Sequence, residues 1–375
     1  MKQQMQANKI EWREVEFPDC LIEEASSNKL KIPGKDFLES GKFPIVDQGE
    51  TFIAGYTDDK SKVYTKKLPV IIFGDHTRIL KFVNFSFALG ADGVKILVPK
   101  EEINAKYLYF AIRNLKLKSL GYSRHYKLLK DKKIPLPFSD NKPNLSEQQR
   151  IASILEKAEK QKERGKNAEK LLDEYLKSVF NEMFLKEKFE VVSLKQACPI
   201  LRKSILPEKL DKELYYVGLE HIESQTGIIL QKLNAKSQNL KSNKFLFDKD
   251  CVLYGKLRPY LNKIALPDFE GVCSTDILPL KPEKNKANKY YIAYLLKTKS
   301  YVDRASSLCA GANLPRLSPK DLENFKIPLP PLPLQQKFSK IVKQVESMKE
   351  NVKKTKQNSE ELFDSLMKKA FRGEL

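Results

Sequence analysis

Apolar residues recur at three- and four-residue steps in two stretches of this chain. In residues 143–184 they are Ile151, Leu155, Ala158, Leu172, Leu176, Val179 and Met183. In residues 330–371 they are Phe338, Ile341, Val345, Met348, Val352, Leu362 and Leu366. That spacing draws one roughly heptad apolar stripe along each segment and predicts two long helices. Some 40 residues of helix extend about 60 Å at 1.5 Å per residue. Neither stripe is stable in water, so the helices are expected to pack on each other as an antiparallel coiled coil. Their polar middles, residues 159–170 and 353–361, predict a seam that is not uniformly tight. Ser146 followed by Gln149 has capping-box spacing at the first helix start. Pro333 stands where Ser146 does and suits helix entry by another route. Elsewhere short apolar runs (KFPIVDQGETFIAGYTDD, KLPVIIFGD, GVKILVP) alternate with Pro, Gly and Asn turns. These predict an α+β fold with a curved β core.

The two helical stretches are copies. Residues 143–184 and 330–371 align without a gap at an offset of 187, with 12 of 42 positions identical, among them Gln148/Gln335, Gln149/Gln336, Ile154/Ile341, Glu174/Glu361 and Phe184/Phe371. The segments before them also correspond. Each ends in Ile-Pro-Leu-Pro, at 134–137 and 327–330, and each begins similarly, Lys9-Ile10-Glu11 against Lys188-Phe189-Glu190. Each holds an apolar strand running into glycine and basic residues, VIIFGDHTRILK (70–81) and CVLYGKLRPYLNK (251–263). Each then has an aromatic helix-like stretch, around Tyr107 and Tyr291. The chain therefore reads as globule 1–142, helix 143–186, globule 187–329 and helix 330–375, a duplicated arrangement with an expected pseudo-twofold axis.

Charge narrows the partner. The 375 residues carry +20, and residues 1–140 and 187–329 hold +6 and +8 of it. An excess concentrated on the globules favours a polyanion, nucleic acid foremost. With 41% hydrophobic residues the chain can build a core. No apolar run approaches a membrane span, and the start lacks the apolar centre of a signal peptide. Five cysteines without a C-x-x-C pair imply free thiols in a reducing cytosol, and three histidines without ligand spacing imply no metal site. The chain has no phosphate-loop motif, no Asn- or Asp-Pro-Pro-Tyr element and no placeable nucleophile triad. Pro267-Asp268-Phe269-Glu270 is too common a pattern to define a nuclease site. No catalytic residue is assigned. Duplex DNA has local twofold symmetry, and paired reading heads about 34 Å apart exploit it. Two different globules on such a frame would read two different half-sites.

SEQQRIASILEKAE, IPLPPLPLQQKF, GDHTRILK, LYGKLRPYLNKIA and the ending LMKKAFRGEL resemble the specificity subunits of Type I restriction–modification enzymes, over essentially the whole chain. The resemblance implies that each globule is a target recognition domain for one half of a bipartite, asymmetric DNA site. It implies that the helices set the spacer and dock two methyltransferase subunits, which methylate adenine using S-adenosylmethionine. Two restriction subunits, driven by ATP with Mg, would complete the nuclease. This chain would bind no cofactor itself and would lie in a prokaryotic cytoplasm, on DNA.

Candidate DNA-binding residues follow from the loops. Gly74, Asp75, His76, Thr77 and Arg78, with Lys81, follow an apolar strand. Arg78 suits guanine or phosphate, and Asp75 suits cytosine or support of Arg78. The blander account is a hairpin loop with a surface ion pair. Lys256, Arg258, Tyr260 and Lys263 are the counterpart, or else a basic strand edge that resists aggregation. Arg124, His125 and Lys127, and Asn313 and Arg316, precede the Ile-Pro-Leu-Pro phrases and either meet DNA or buttress the junction with the helix. Gln148, Gln149, Gln335 and Gln336 are candidates for subunit docking, with capping the alternative. Two other functions stay open: a coiled-coil scaffold that never touches DNA, and a self-sufficient DNA-modifying enzyme.

Overall fold

The apolar run Val70–Gly74 becomes a strand with all five residues buried. In the computed structural model, which describes residues 10–22, 31–90, 93–121, 123–210, 214–309 and 313–375, this strand is the centre of one of two compact units. The first unit joins Met1–Asn167 to Lys354–Leu375, and the second is Ala168–Lys353. Each unit thus takes one globule and a portion of both long helices.

In the first unit Val70–Gly74 lies between Leu80–Val83 and Val94–Pro99, antiparallel to both, with Ile72 opposite Lys81 and Ile96. Leu21–Ile22 extends that sheet. A second sheet has the order Gly55–Thr57, Phe43–Val46, Phe87–Leu89, Val63–Tyr64, and its middle pair is parallel. Glu11–Glu16 pairs with Lys133–Ser139, which carries the Ile-Pro-Leu-Pro phrase. Asn104 caps the helix Ala105–Asn114 by accepting from the Tyr107 N–H. The helix's buried face, with Tyr107, Phe110 and Ala111, packs on Phe73, Ile151, Leu155, Phe363 and Phe371.

The second unit repeats this plan with shorter strands. Val252–Gly255 lies between Ile264–Ala265 and Ile277–Leu280. Tyr215–Val217 runs parallel to Gly271–Cys273 in a five-stranded sheet. Val191–Ser193 pairs with Lys326–Pro328. The aromatic helix is Lys289–Leu296, capped by Asn288. In each unit a buried tyrosine spans from that helix to the Ile-Pro-Leu-Pro strand. Tyr107 donates to Pro135 O and Tyr291 to Pro328 O, both at 2.6 Å.

The long helices are Leu145–Phe184 and Leu332–Ala370. Within the first unit their segments run antiparallel. Lys162 pairs with Glu360, and a Cβ on Gly165 would stand 3.3 Å from Lys356 Cβ. Within the second unit Lys349 pairs with Asp173 at 2.5 Å, and Phe180 and Phe184 pack on Phe338. The α+β class and the antiparallel helices are as expected, but two details differ. Met348 and Leu362 are 53% and 54% exposed, while Val342, Phe363 and Met367 are buried. Steps of three and four fit two neighbouring rows of a helix, and only the packing partner selects one. The first helix starts at Leu145, and its cap is Asn144, which accepts from the Glu147 N–H at 3.0 Å; Ser146 is not the cap.

Candidate nucleic-acid interface

Loops singled out separately in the sequence converge in each unit at the end of the central strand. In the first unit the turn after Gly74 and the segment around His125 are joined by hydrogen bonds. Asp75 O accepts from the His125 N–H at 2.8 Å, and Asp75 Oδ1 accepts from the Tyr126 N–H at 2.7 Å. In the second unit Leu257 bridges Arg316, the Arg258 N–H donates to Pro315 O at 2.8 Å, and the Leu317 N–H donates to Lys256 O at 3.0 Å. The two surfaces are built alike from unlike residues. Ala310, Gly311 and Ala312 of the small-residue run lie outside the described residues.

On these surfaces Thr77, Arg78, Arg124 and Lys127 are exposed in the first unit, and Arg258, Tyr260, Asn313 and Arg316 in the second. Arg78 and Arg258 have left-handed backbones, with φ of 63° and 51°. A residue with a Cβ pays roughly 1–3 kcal/mol for a sparsely populated backbone conformation, and such residues concentrate at functional sites. Arg78 Nη1 donates to Leu117 O at 2.9 Å, which braces the guanidinium against a loop bearing exposed Lys116 and Lys118. Arg316 pairs with Asp276 at 3.2 Å. Lys256 and His76 are half-buried. Gly74 is required by space, because a Cβ there would stand 2.3 Å from Thr77 Oγ1.

Five candidates are corrected. Asp75 is buried and spends its carboxylate on the Tyr126 backbone, so it neither faces a base nor supports Arg78. His125 is fully buried. Its Nδ1 faces Asp75 O at 3.0 Å and its Nε2 accepts from the Leu120 N–H at 3.0 Å, which fits a neutral ring protonated at Nδ1. Lys81 is 3% exposed; its ammonium donates to Thr51 O at 2.6 Å and to Asp47 at 3.3 Å. Burial lowers its pKa, and the Asp47 charge opposes that shift. Gln148 and Gln335 are fully buried, so they dock no partner. Each instead locks the start of a long helix to the aromatic helix of its own unit. Gln148 accepts from the Asn104 N–H and donates to Glu102 O; Gln335 accepts from the Asn288 N–H and donates to Lys286 O and Pro330 O. Gln149 and Gln336, one residue on, are exposed.

Sequence reasoning missed a third loop in each unit. Gln48 follows Phe43–Val46; its carbonyl accepts from Thr77 Oγ1 at 2.7 Å and its side chain from the His76 N–H at 3.3 Å. In the second unit the hairpin closed by the Ile222–Ile229 bridge lies on the loop 256–263. There the Gln225 N–H donates to Leu261 O and Gln225 Nε2 to Tyr260 O. Lys263, half-buried, donates to Leu219 O at 2.8 Å. Lys297, whose pKa burial lowers to about 8, donates to Thr226 O at 2.7 Å. The available signals were the polar interruptions DQGET and ESQTG between apolar runs.

Among the described residues no group of His, Cys, Asp and Glu could hold a metal, and no helix is long and apolar enough to cross a membrane. Burial pushes the Cys251 thiol up to about 11 and that of Cys20 up to about 12.

Two α+β units, each presenting arginine-bearing loops at one strand end and each taking part of two long helices, define a duplicated scaffold. The chain belongs to the family described as Type I restriction modification DNA specificity domain, which matches residues 11–170 and 186–361. The EcoDI specificity subunit of Escherichia coli is 32% identical over 164 residues, 43% of this chain and 36% of that protein. The match therefore spans about a third of that relative's length. The EcoR124I/EcoR124II specificity subunit of the same organism is 24% identical over 348 residues, 86% of this chain and 84% of that one. In fold, the crystal structure of the Type I restriction–modification S subunit from M. genitalium matches with a TM-score of 0.62 at 18% identity, covering 99% of this chain and 98% of that one. A chain from a study of complex assembly and conformational transition in the type I R-M system matches with a TM-score of 0.54 at 17% identity, covering 97% and 98%.

Proposed function

We propose that this chain is the non-catalytic, sequence-specific DNA-binding subunit of a Type I restriction–modification complex, each unit reading one half of a bipartite, asymmetric site. The observation that carries the reading is the convergence, in both units, of exposed arginine loops on one strand end, in a family defined by DNA specificity. Arg78, Arg124, Arg258 and Arg316 are the principal candidates for guanine and phosphate contacts. Thr77, Lys127, Tyr260 and Asn313 lie beside them, with Lys256 and His76 at the margin. The long helices set the spacer and dock two methyltransferase subunits, which bring S-adenosylmethionine; two restriction subunits would bring ATP and Mg chemistry. With Gln148 and Gln335 removed from consideration, docking falls to exposed Gln149 and Gln336 and to exposed apolar side chains of the helices. In the second unit these are Leu171, Tyr175 and Met348.

The test is co-expression of the chain with methyltransferase subunits, followed by sequencing of adenine methylation. One bipartite motif, present only when both proteins are expressed, is the expected result. A well-formed complex with an active methyltransferase that produces no motif would favour the scaffold function instead.

A further inference from the structure

The third loop of each unit has a composition at odds with the rest of the chain. Residues 47–54 (DQGETFIA) and 218–228 (GLEHIESQTGI) contain no lysine or arginine and two carboxylates each, in a protein of net charge +20. Both are nonetheless built onto the arginine loops. Thr77 and His76 are bonded to Gln48, and Leu261 and Tyr260 to Gln225. Both are also clamped from below by a lysine on the return of the hairpin. Lys81 donates to Thr51 O, and Lys263 donates to Leu219 O. Lys81 lies opposite Ile72 of the central strand, and the Lys263 carbonyl accepts from the Gly255 N–H at that strand's end, so both lysines lie on the return of the hairpin, two positions apart in register. The second loop is shaped as tightly. Gln225 and Gly227 have φ of 68° and 75°, and a Cβ on Gly227 would stand 1.8 Å from Ile264 O. The tips remain exposed, at Glu50 and Thr51 in one unit and at Glu223, Gln225 and Thr226 in the other.

A loop without lysine or arginine gains no charge attraction from phosphates, and its carboxylates are repelled by them. Beside duplex DNA the groups that such a loop suits are the amino donors of the major groove, cytosine N4 for a carboxylate and adenine N6/N7 for an amide. We propose that residues 47–54 and 218–228 are base-reading loops for these amino groups, with Glu50 and Gln225 as specificity-determining residues and Lys81 and Lys263 as positioning residues. The inference rests on the DNA-reading function proposed above. It divides labour within each unit, since the arginine loops supply charge and the amide and carboxylate loops supply base choice.

The experiment uses the full chain with its methyltransferase subunits, motif sequencing, and binding to duplex DNA across a salt series. Glu50→Ala and Gln225→Ala sit at exposed positions, and because the second also removes the bond from Gln225 Nε2 to Tyr260 O, a urea titration establishes that each variant is folded before its base preference is read. Each is expected to relax preference at one base position of one half-site, on the order of 10-fold, with the dependence of affinity on salt unchanged. Lys81→Met and Lys263→Met are expected to relax the same half-sites, again with an unchanged salt slope. A slope that falls by about 0.9 for a lysine variant marks a lost phosphate contact and overturns the positioning role. Unaltered base preference in Glu50→Ala and Gln225→Ala, beside a clear wild-type motif, overturns the base-reading role and leaves the function standing. A wild-type complex that methylates no defined motif overturns both.

Discussion

Gln148 and Gln335 illustrate how a repeated residue earns its place through burial. Each side chain is fully enclosed and bonded to backbone groups at the start of the neighbouring aromatic helix. Truncation would leave those groups unpaired inside the protein, at about 1–3 kcal/mol for each group left unsatisfied. Gln148→Ala and Gln335→Ala are therefore expected to destabilise the chain by about 2–4 kcal/mol in urea titrations, whereas Gln149→Ala and Gln336→Ala should change stability by less than about 0.5 kcal/mol. Lys297 provides a pH-dependent case. Its pKa of about 8 lies below the ordinary 10.5, because burial outweighs the Glu346 and Asp173 carboxylates, with Lys349 adding to the shift. The unfolded chain thus binds the extra proton between those two values, and stability contributed by this group rises with pH over that window. Below pH 8 both states are protonated, and the penalty is constant. Wild type should gain stability relative to Lys297→Met between about pH 8 and 10.5, which paired urea titrations across pH would detect.

At the scale of elements, the sequence was informative wherever one periodicity had one solution. The long helices, the strands Val70–Gly74 and Val252–Gly255, and the aromatic helices with Tyr107 and Tyr291 were all legible from apolar spacing. Side-chain direction in loops was not. GDHTRILK reads as a polar and basic run, yet its Asp75 and Lys81 point inward while Thr77 and Arg78 face out, because a tight turn reverses the alternation that a strand maintains. The third loops escaped notice because basic residues were the guide, and these loops have none. Asp75 couples two elements through its side chain, which accepts from the Tyr126 N–H, and through its carbonyl, which accepts from the His125 N–H, so Asp75→Ala keeps the second link and should loosen the segment 123–127 against the turn after Gly74. The expected outcome is a loss of preference confined to the half-site of the first unit, with about 1–3 kcal/mol of stability lost for the unpaired N–H. Motif sequencing combined with urea titration separates that result from general unfolding, which would reduce methylation of the motif without altering it.

At the scale of the whole molecule, the two units carry comparable loop sets on different residues, so under the proposed function base choice is separable from architecture. What the repeats share is internal: the capped aromatic helix, the tyrosine bond to the Ile-Pro-Leu-Pro strand and the buried glutamine at the helix start. What differs is exposed: Thr77, Arg78 and Arg124 in one unit, and Arg258, Tyr260 and Arg316 in the other. Exchange of residues 1–142 for the corresponding segment of another family member keeps the shared internal contacts if the glutamine, the tyrosine and the Ile-Pro-Leu-Pro strand are retained at the junction. Such a chimera is expected to methylate a motif in which one half is new, while the other half and the spacer are unchanged. A change in both halves would mean that the two reading surfaces are not independent. A change in spacer alone would move the determinant of base choice out of the globules and into the helices. Because base-edge contacts carry sequence information and phosphate contacts do not, the chimera's salt dependence would follow its exposed basic side chains, whichever half-site it had acquired.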